Sequence, residues 1–298
     1  MIVVGEDNFA EGFAKKMKSN FIRVQTKTFP DGESYIRISN QEKIKNEKVI
    51  VVSRGKTPEF GQDRLIIKTI LLLHKIKELG VKKIGLFIPY MPYARQDKEF
   101  LPGEVVSVKI IRKLLEENCD FIASVTNHDK REEGWVDKKF YNIDATPSVI
   151  KFLKSKNFKN SIVAAPDMTS KRNVERLAES LNTEVLAIKK ERDLRTGKIK
   201  SYGEIPNLSG KTLIFYDDLV STGGTILKAI DMAKKSNPEK IICVVVHALD
   251  VFNKNFNKSS ISAIKEACNG FYASDTVENT AKAFSILDQA VEVFNKYF

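Results

Sequence analysis

A pair of adjacent carboxylates stands close to a run of small residues in Leu213-Ile-Phe-Tyr-Asp217-Asp218-Leu-Val-Ser221-Thr222-Gly223-Gly224-Thr225. The apolar residues leading in read as a buried strand and Ile226 to Lys235 beyond as a helix, so the small residues make the turn between them. That order suits a phosphorylated sugar. Carboxylates at a strand end accept hydrogen bonds from vicinal hydroxyls, while backbone N–H groups of a Gly and Thr turn, aided by the helix dipole, surround a dianionic phosphate. Thr222 and Thr225 add hydroxyl donors. The plainer alternative is a strand-to-helix turn in which glycine supplies positive φ and aspartate caps the helix. Two acids together with Thr-Gly-Gly-Thr are more specific than a lone glycine-rich loop.

Other charged segments carry weaker signals. Phe29-Pro-Asp31-Gly-Glu33 is a turn inside a strand-rich segment, with Tyr35-Ile-Arg-Ile38 alternating after it. In Pro89-Tyr90-Met-Pro-Tyr93-Ala-Arg95-Gln96-Asp97 the planar fork of Arg95 can pair a polyphosphate, or else form a surface ion pair with Asp97 or Glu99. His128 follows a strand-like run, where a lone histidine is more often structural than a ligand. By composition alone, Lys189-Lys190-Glu191-Arg192-Asp193 is a solvated charge run.

The scaffold for these segments is legible in the apolar pattern. Short β-branched runs at 49–53, 84–89, 121–125, 161–165, 212–216 and 241–246 read as buried strands. Amphipathic stretches lie between them. From Arg64 to Gly80, residues Leu65, Ile66, Ile70, Leu72, Leu73 and Ile76 fall broadly on one helical face, with Gly80 as the stop. Alternating strands and helices predict an α/β fold, and their recurrence predicts two similar domains, each a mainly parallel sheet flanked by helices. Pro147 and the helical segment 148–156 after it put the boundary near residue 143, giving domains 1–143 and 144–298. No linker is rich in Gly and Ser, so the domains are expected to pack closely.

Composition narrows the function classes. The 298 residues are 42% hydrophobic and 29% charged, which excludes disordered and low-complexity architectures. Forty-nine Lys and Arg against 38 Asp and Glu leave a formal charge of +11, which favours polyanionic ligands; on charge alone, nucleic acid and small phosphorylated ligands fit equally. No apolar stretch approaches the roughly 18 residues that cross a bilayer, and no signal peptide is indicated. Cys119, Cys243 and Cys268 lie far apart without a Cys-x-x-Cys spacing, so a reducing, cytoplasmic setting is expected. The histidines and cysteines offer no zinc constellation.

With these motifs in hand, the chain resembles the ribose-phosphate pyrophosphokinases, of the type I phosphoribosyltransferase fold, from Phe29 to about Thr280. The family's ligand loop has the acid-acid-x-x-x-Thr-Gly-Gly-Thr form. The resemblance implies that Asp217 and Asp218 grip the ribose hydroxyls and that Ser221, Thr222, Gly223, Gly224 and Thr225 hold the 5-phosphate. It implies that Phe29, Asp31 and Glu33 contact adenine and ribose of ATP across a subunit interface, hence a homo-oligomer, and that Arg95, Gln96 and Asp97 lie on the ATP side. His128 and Asp167 become candidate Mg²⁺ anchors. Lys190 and Arg192 match the Lys-x-Arg at the base of a mobile catalytic loop, with Leu194 to Ser201 as its polar flap.

The reaction so implied passes the diphosphoryl group of ATP to the anomeric hydroxyl of ribose 5-phosphate, with neither nucleic acid nor membrane as partner. Three positions depart from the family pattern. Thr126 replaces an acid, Thr169 stands where glycine is expected, and Ser170 follows it. They keep open a catalytically weak, regulatory relative, while a phosphoribosyltransferase would use the same sugar loop without the Asp-Gly-Glu and Tyr-Ala-Arg-Gln-Asp segments. Ser274-Asp275-Thr276 resembles a late structural turn.

Overall fold

A computed structural model describes residues 1–55, 61–99, 101–126, 139–166, 171–186, 190–192, 199–202, 205–254 and 256–298, without the side chains of 139, 171, 172, 190–192 and 199–202. These residues form two compact units. One comprises Met1–Asp144, Thr276–Glu278 and Ser285–Phe298, and the other Ala145–Asp275 and Asn279–Phe284.

The first unit runs β1 (Ile2–Gly5), α1 (Asn8–Lys16), β2 (Asn20–Thr28), β3 (Ser34–Ile38), β4 (Lys48–Val52), α2 (Gln62–Glu78), β5 (Lys83–Phe87), α3 (Ser107–Glu116), β6 (Phe121–Val125) and β7 (Lys139–Ile143). Its seven-stranded sheet has the order β3-β2-β1-β4-β5-β6-β7, parallel except for the β2–β3 hairpin. β1 and β6 are buried along their whole length, and β4 and β5 at all but their first residue. Continuous apolar runs are what a parallel sheet covered on both faces needs. α2 lays Ile66, Thr69, Leu72, Leu73 and Ile76 into the core and is followed by Gly80 at φ +72, a left-handed stop that glycine takes without strain.

The second unit runs α4 (Thr146–Lys156), β8 (Ser161–Ala164), α5 (Lys171–Leu181), β9 (Glu184–Leu186), β10 (Lys190–Arg192), β11 (Ile199–Tyr202), β12 (Thr212–Val220), α6 (Gly224–Lys234), β13 (Lys240–Ala248), β14 (Phe252–Asn253), β15 (Lys258–Ser259), α7 (Ser260–Ala267), β16 (Gly270–Ser274) and β17 (Lys282–Phe284). Its main sheet, β17-β16-β13-β12-β8-β9, is parallel throughout. Two-stranded antiparallel ribbons, β10–β11 and β14–β15, are appended. Pro147 lies in the first turn of α4, where its missing N–H has no intrahelical acceptor to lose. Each main sheet is mainly parallel and flanked by helices, as the apolar pattern predicts.

Two differences from the sequence reading matter for function. β12 does not stop at Tyr216: its pairing with β13 continues through Leu219↔His247 and Val220↔Ala248, so both acids stand inside the strand. The last helix, α8 (Leu287–Tyr297), belongs to the first unit although residues 144–298 read as one domain. Its Phe294 packs edge-on to Phe13 and Phe87 and tilted against Phe121, at ring centroids of 5.3, 5.7 and 5.0 Å. No described helix is long and apolar enough to cross a membrane.

Candidate functional site

In the second sheet the chain leaves β8 toward β9 on one side and β12 toward β13 on the other, so the strand order reverses between β8 and β12. Open α/β sheets bind ligands beyond the strand ends at such a reversal. Asp217 and Asp218 stand near the end of β12 there, and residues 221–225 follow the strand. Alternation along the strand sends neighbouring side chains to opposite faces, and Asp217 is buried while Asp218 is half-buried. The Asp217 carboxylate accepts a hydrogen bond from the Asp218 backbone N–H at 3.0 Å, which fixes its rotamer at the strand end.

The turn itself is built for an anion. Gly223 is the N-cap of α6 at φ +78 and ψ −2, and no side chain caps the helix. An aspartate cap, the plainer explanation of the acid pair, is therefore not what the acids provide. The first intrahelical bond runs from Leu227 N–H to the Gly223 carbonyl at 2.9 Å, so the N–H groups of the first turn have no intrahelical acceptor. Their partial positive charge faces the turn. Gly223 is required twice over, because its backbone is left-handed and a Cβ there would stand 3.2 Å from Ile264 Cδ1 of α7.

One residue of this site escapes the sequence reading. Asn253, buried on the β14–β15 ribbon, donates from Nδ2 to the Thr222 carbonyl at 2.6 Å and so ties down the loop tip. Leu249 N–H donates to the Val220 carbonyl at 2.8 Å and holds the end of β12 in the same way. Nothing in the local pattern of 250–258 signals this; the ribbon's role depends on β13 carrying it back beside β12.

The first unit places its candidates at two sites. Phe29, Asp31 and Glu33 form the exposed tip of the β2–β3 hairpin, closed by Phe29 N–H to Glu33 carbonyl at 2.8 Å, with Asp31 accepting from Glu33 N–H at 3.1 Å. Phe29 and Tyr35 meet edge-on at 6.0 Å, with the Lys27 ammonium over both rings. Beyond β5, the Tyr93 phenol donates to Asp63 at the start of α2, and that carboxylate first, then burial, holds the phenol above its ordinary ionisation range. Gln96 donates from its backbone to the Tyr93 carbonyl at 3.0 Å and from Nε2 to Glu104 at 3.2 Å. Arg95 is exposed and makes no ion pair with Asp97 or Glu99, so its guanidinium is not engaged by those neighbours.

His128, Asp167, Thr169 and Ser170 lie outside the described residues, as do Leu194 and most of the predicted flap. Lys190 and Arg192 are described by backbone alone. They lie on β10, where Lys190 pairs with Tyr202 and Arg192 with Ile199, with a register shift between Glu191 and Arg192.

Comparison with known proteins agrees in both halves. Residues 1–118 match the N-terminal domain of ribose phosphate pyrophosphokinase, and residues 142–272 match the phosphoribosyl transferase domain. A ribose-phosphate pyrophosphokinase of Sulfurisphaera tokodaii is 32% identical over 99% of this chain and 100% of its own length, and that of Sulfolobus acidocaldarius is 30% identical over the same shares. The crystal structure of phosphoribosylpyrophosphate synthetase from Mycobacterium smegmatis shares the fold at a TM-score of 0.82, with 20% identity, over 99% of this chain and 97% of that one. The two-unit α/β architecture, the acid pair and the capless Thr-Gly-Gly-Thr turn thus stand in a chain that belongs to the ribose-phosphate pyrophosphokinase family.

Proposed function

We propose that the chain transfers the diphosphoryl group of ATP to the anomeric hydroxyl of ribose 5-phosphate, giving phosphoribosyl pyrophosphate and AMP for nucleotide biosynthesis. The observation that carries this reading is the turn between β12 and α6, which presents uncapped N–H groups a short loop beyond two carboxylates on the strand. Asp217 and Asp218 accept the ribose 2- and 3-hydroxyls, and Ser221 to Thr225 surround the 5-phosphate. This leaves the anomeric hydroxyl oriented for in-line attack. Phosphoryl transfer relies on positioning and on charge stabilisation over the transferred oxygens, so cations must reach the diphosphoryl group. Lys190 and Arg192 are proposed for that role.

Phe29, Asp31 and Glu33 are proposed to hold the adenosine of ATP bound by a neighbouring subunit, and Arg95, Gln96 and Asp97 its polyphosphate side. The exposure of the hairpin tip supports the first assignment, since a side chain serving another subunit must project. We take the protein to work as a homo-oligomer in the cytoplasm. Among the described residues no three His, Cys, Asp or Glu side chains gather into a metal cage. The oxygen donors present fit Mg²⁺, a hard cation that keeps its waters and is held largely by substrate phosphates. His128 and Asp167 would anchor it, and when bound it neutralises charge on the polyphosphate.

The test is release of AMP from ATP, measured with and without ribose 5-phosphate and Mg²⁺. Release that requires both supports the reading. No release at any Mg²⁺ concentration would favour a regulatory relative, and release of free base or its consumption with phosphoribosyl pyrophosphate would favour a transferase.

A further inference from the structure

The hairpin of β2 and β3 presents two aromatic rings outside the core of the first unit. Its register sets Lys27 opposite Tyr35, and the bond from the Phe29 N–H to the Glu33 carbonyl continues the pairing to the tip. Side chains alternate across a strand, so Lys27, Phe29, Glu33 and Tyr35 share one face and Thr28, Ser34 and Ile36 the other. The second face is the structural one. Ile36 packs against the core of the first unit, and Thr28 Oγ1 accepts from Arg64 of α2 at 3.5 Å. The first face is turned away from that core, with Lys27 and Phe29 exposed and Tyr35 half-buried.

On this outward face three side chains brace one another. The rings of Phe29 and Tyr35 meet edge-on, with centroids 6.0 Å apart and planes at 87°. The Lys27 ammonium stands 4.5 Å from the Tyr35 centroid and 5.2 Å from that of Phe29, within the range where a ring quadrupole attracts a cation. Among the described residues Lys27 forms no ion pair, so its charge engages the two rings instead. An exposed phenylalanine without such neighbours samples several rotamers and must lose that freedom when a flat ligand settles on it. Here the ring is already held. Phe29 has its plane set before a ligand arrives, and 40% of its surface is still exposed to receive one.

We propose that Tyr35 and Lys27 are positioning residues for the nucleobase of ATP, acting through Phe29, whose ring plane they fix for stacking. This role rests on the reading of the hairpin tip as an adenosine contact. It divides the substrate into two parts. Stacking involves the base alone, whereas the polyphosphate is drawn by charge, so the two residues govern the contribution of the base to affinity and leave that of the phosphates as it is. In Tyr35 the bracing group is the ring and not the hydroxyl, because the contact with Phe29 is ring to ring.

The experiment measures by calorimetry, on the full chain, the affinity for ATP and for inorganic tripolyphosphate, each with Mg²⁺; the second has phosphates and no base. Tyr35→Leu keeps an apolar side chain without a ring, and Lys27→Met keeps the stem without the charge. Each should weaken ATP binding several-fold and leave tripolyphosphate binding unchanged, and the conservative Tyr35→Phe and Lys27→Arg should restore ATP binding. In turnover the loss should appear as a higher KM for ATP at unchanged kcat. Wild-type ATP affinity in both Tyr35→Leu and Lys27→Met overturns the positioning role, and so does an equal loss for tripolyphosphate or a Tyr35→Phe variant as weak as Tyr35→Leu. Phe29→Ala separates this role from the functional reading. Full ATP affinity in Phe29→Ala would remove the adenosine assignment and the positioning role with it, whereas a loss confined to Phe29→Ala keeps the assignment and overturns the role alone.

Discussion

Tyr93 sits at φ +64, a left-handed backbone that a bulky aromatic side chain rarely takes, and its phenol donates to Asp63. Strain of this kind persists where surrounding contacts over-determine it, and here it shapes the turn that presents Arg95, Gln96 and Asp97. Tyr93→Phe removes the bond, so it should cost at most about 1 kcal/mol of stability while raising KM for ATP more than for ribose 5-phosphate. The pH dependence has a definite sign. Asp63 raises the folded phenol above the unfolded value of about 10, so the contribution is complete below that value and disappears as pH rises through the folded one. Denaturant midpoints followed through that alkaline window should fall more steeply for wild type than for Tyr93→Phe; parallel curves would discount the bond. Thr126 is a second outlier at φ +40, a poor backbone for a β-branched residue, and its N–H donates to the Ile143 carbonyl at 2.8 Å. Aspartate tolerates that backbone better and is a better Mg²⁺ ligand. Thr126→Asp should therefore melt no lower than wild type and reach half-maximal AMP release at lower Mg²⁺. If it changes nothing and His128→Ala is also silent, this segment does not touch the metal. Neither strained backbone is written in the residue types, since glycine and asparagine advertise positive φ while tyrosine and threonine do not; the motifs containing these residues were legible, their geometry was not.

The turn between β12 and α6 was the most legible element, because an apolar strand, two acids and a small-residue run each restrict the backbone in the same place. What local pattern could not supply was the length of β12, which its pairing with β13 extends past both acids, and Asn253, which reaches the loop from a ribbon folded back by that same partner strand. Gly223→Ala places a side chain at φ +78 and 3.2 Å from Ile264, so it should lose about 1–2 kcal/mol from the left-handed backbone and weaken ribose 5-phosphate binding with ATP binding little changed. Asn253→Ala keeps the loop sequence but frees the Thr222 carbonyl from its 2.6 Å bond, and a several-fold rise in KM for ribose 5-phosphate is the expected outcome. Calorimetric titration with ribose 5-phosphate checks both; unaltered affinity in the two variants would take the sugar away from this turn. On β10 the sequence alone shows a charge run, and only the family resemblance singles out two of its members. Lys190→Ala and Arg192→Ala should each lower kcat at least about tenfold, since donors aimed at developing charge typically contribute more than that. A modest change in KM should accompany the loss, and full turnover in both would return the run to a solvated surface.

At the scale of the whole chain, the recurrence of strand and helix announces two sheets, but not which of them receives the last helix. The apolar positions of Leu287–Tyr297 say only that one face will be buried; its partners lie on α1, β5 and β6, more than a hundred and seventy residues away, and no local signal names them. The choice has energetic weight. Phe294 is 1% exposed, and its ring meets Phe13, Phe87, Phe121 and Phe298. Gly85 of β5 permits this packing, because a Cβ there would stand 3.1–3.3 Å from the Phe294 and Phe298 rings. The end of the chain is fastened as well, with the Lys48 and Lys83 ammonium groups donating to the Phe298 carbonyl at 2.9 and 3.2 Å. Phe294→Ala removes a fully packed aromatic side chain and leaves a cavity, which costs about 3–5 kcal/mol, whereas Phe294→Leu keeps most of the volume and should cost far less. The loss belongs to the first unit, where the proposed ATP contacts lie, and the sugar loop belongs to the second. Under mild denaturant, Phe294→Ala should therefore lose ATP binding at a concentration where ribose 5-phosphate still binds. Simultaneous loss of both ligands would mean that the two units unfold as one, and a variant as stable as wild type would mean that α8 contributes little to the first sheet.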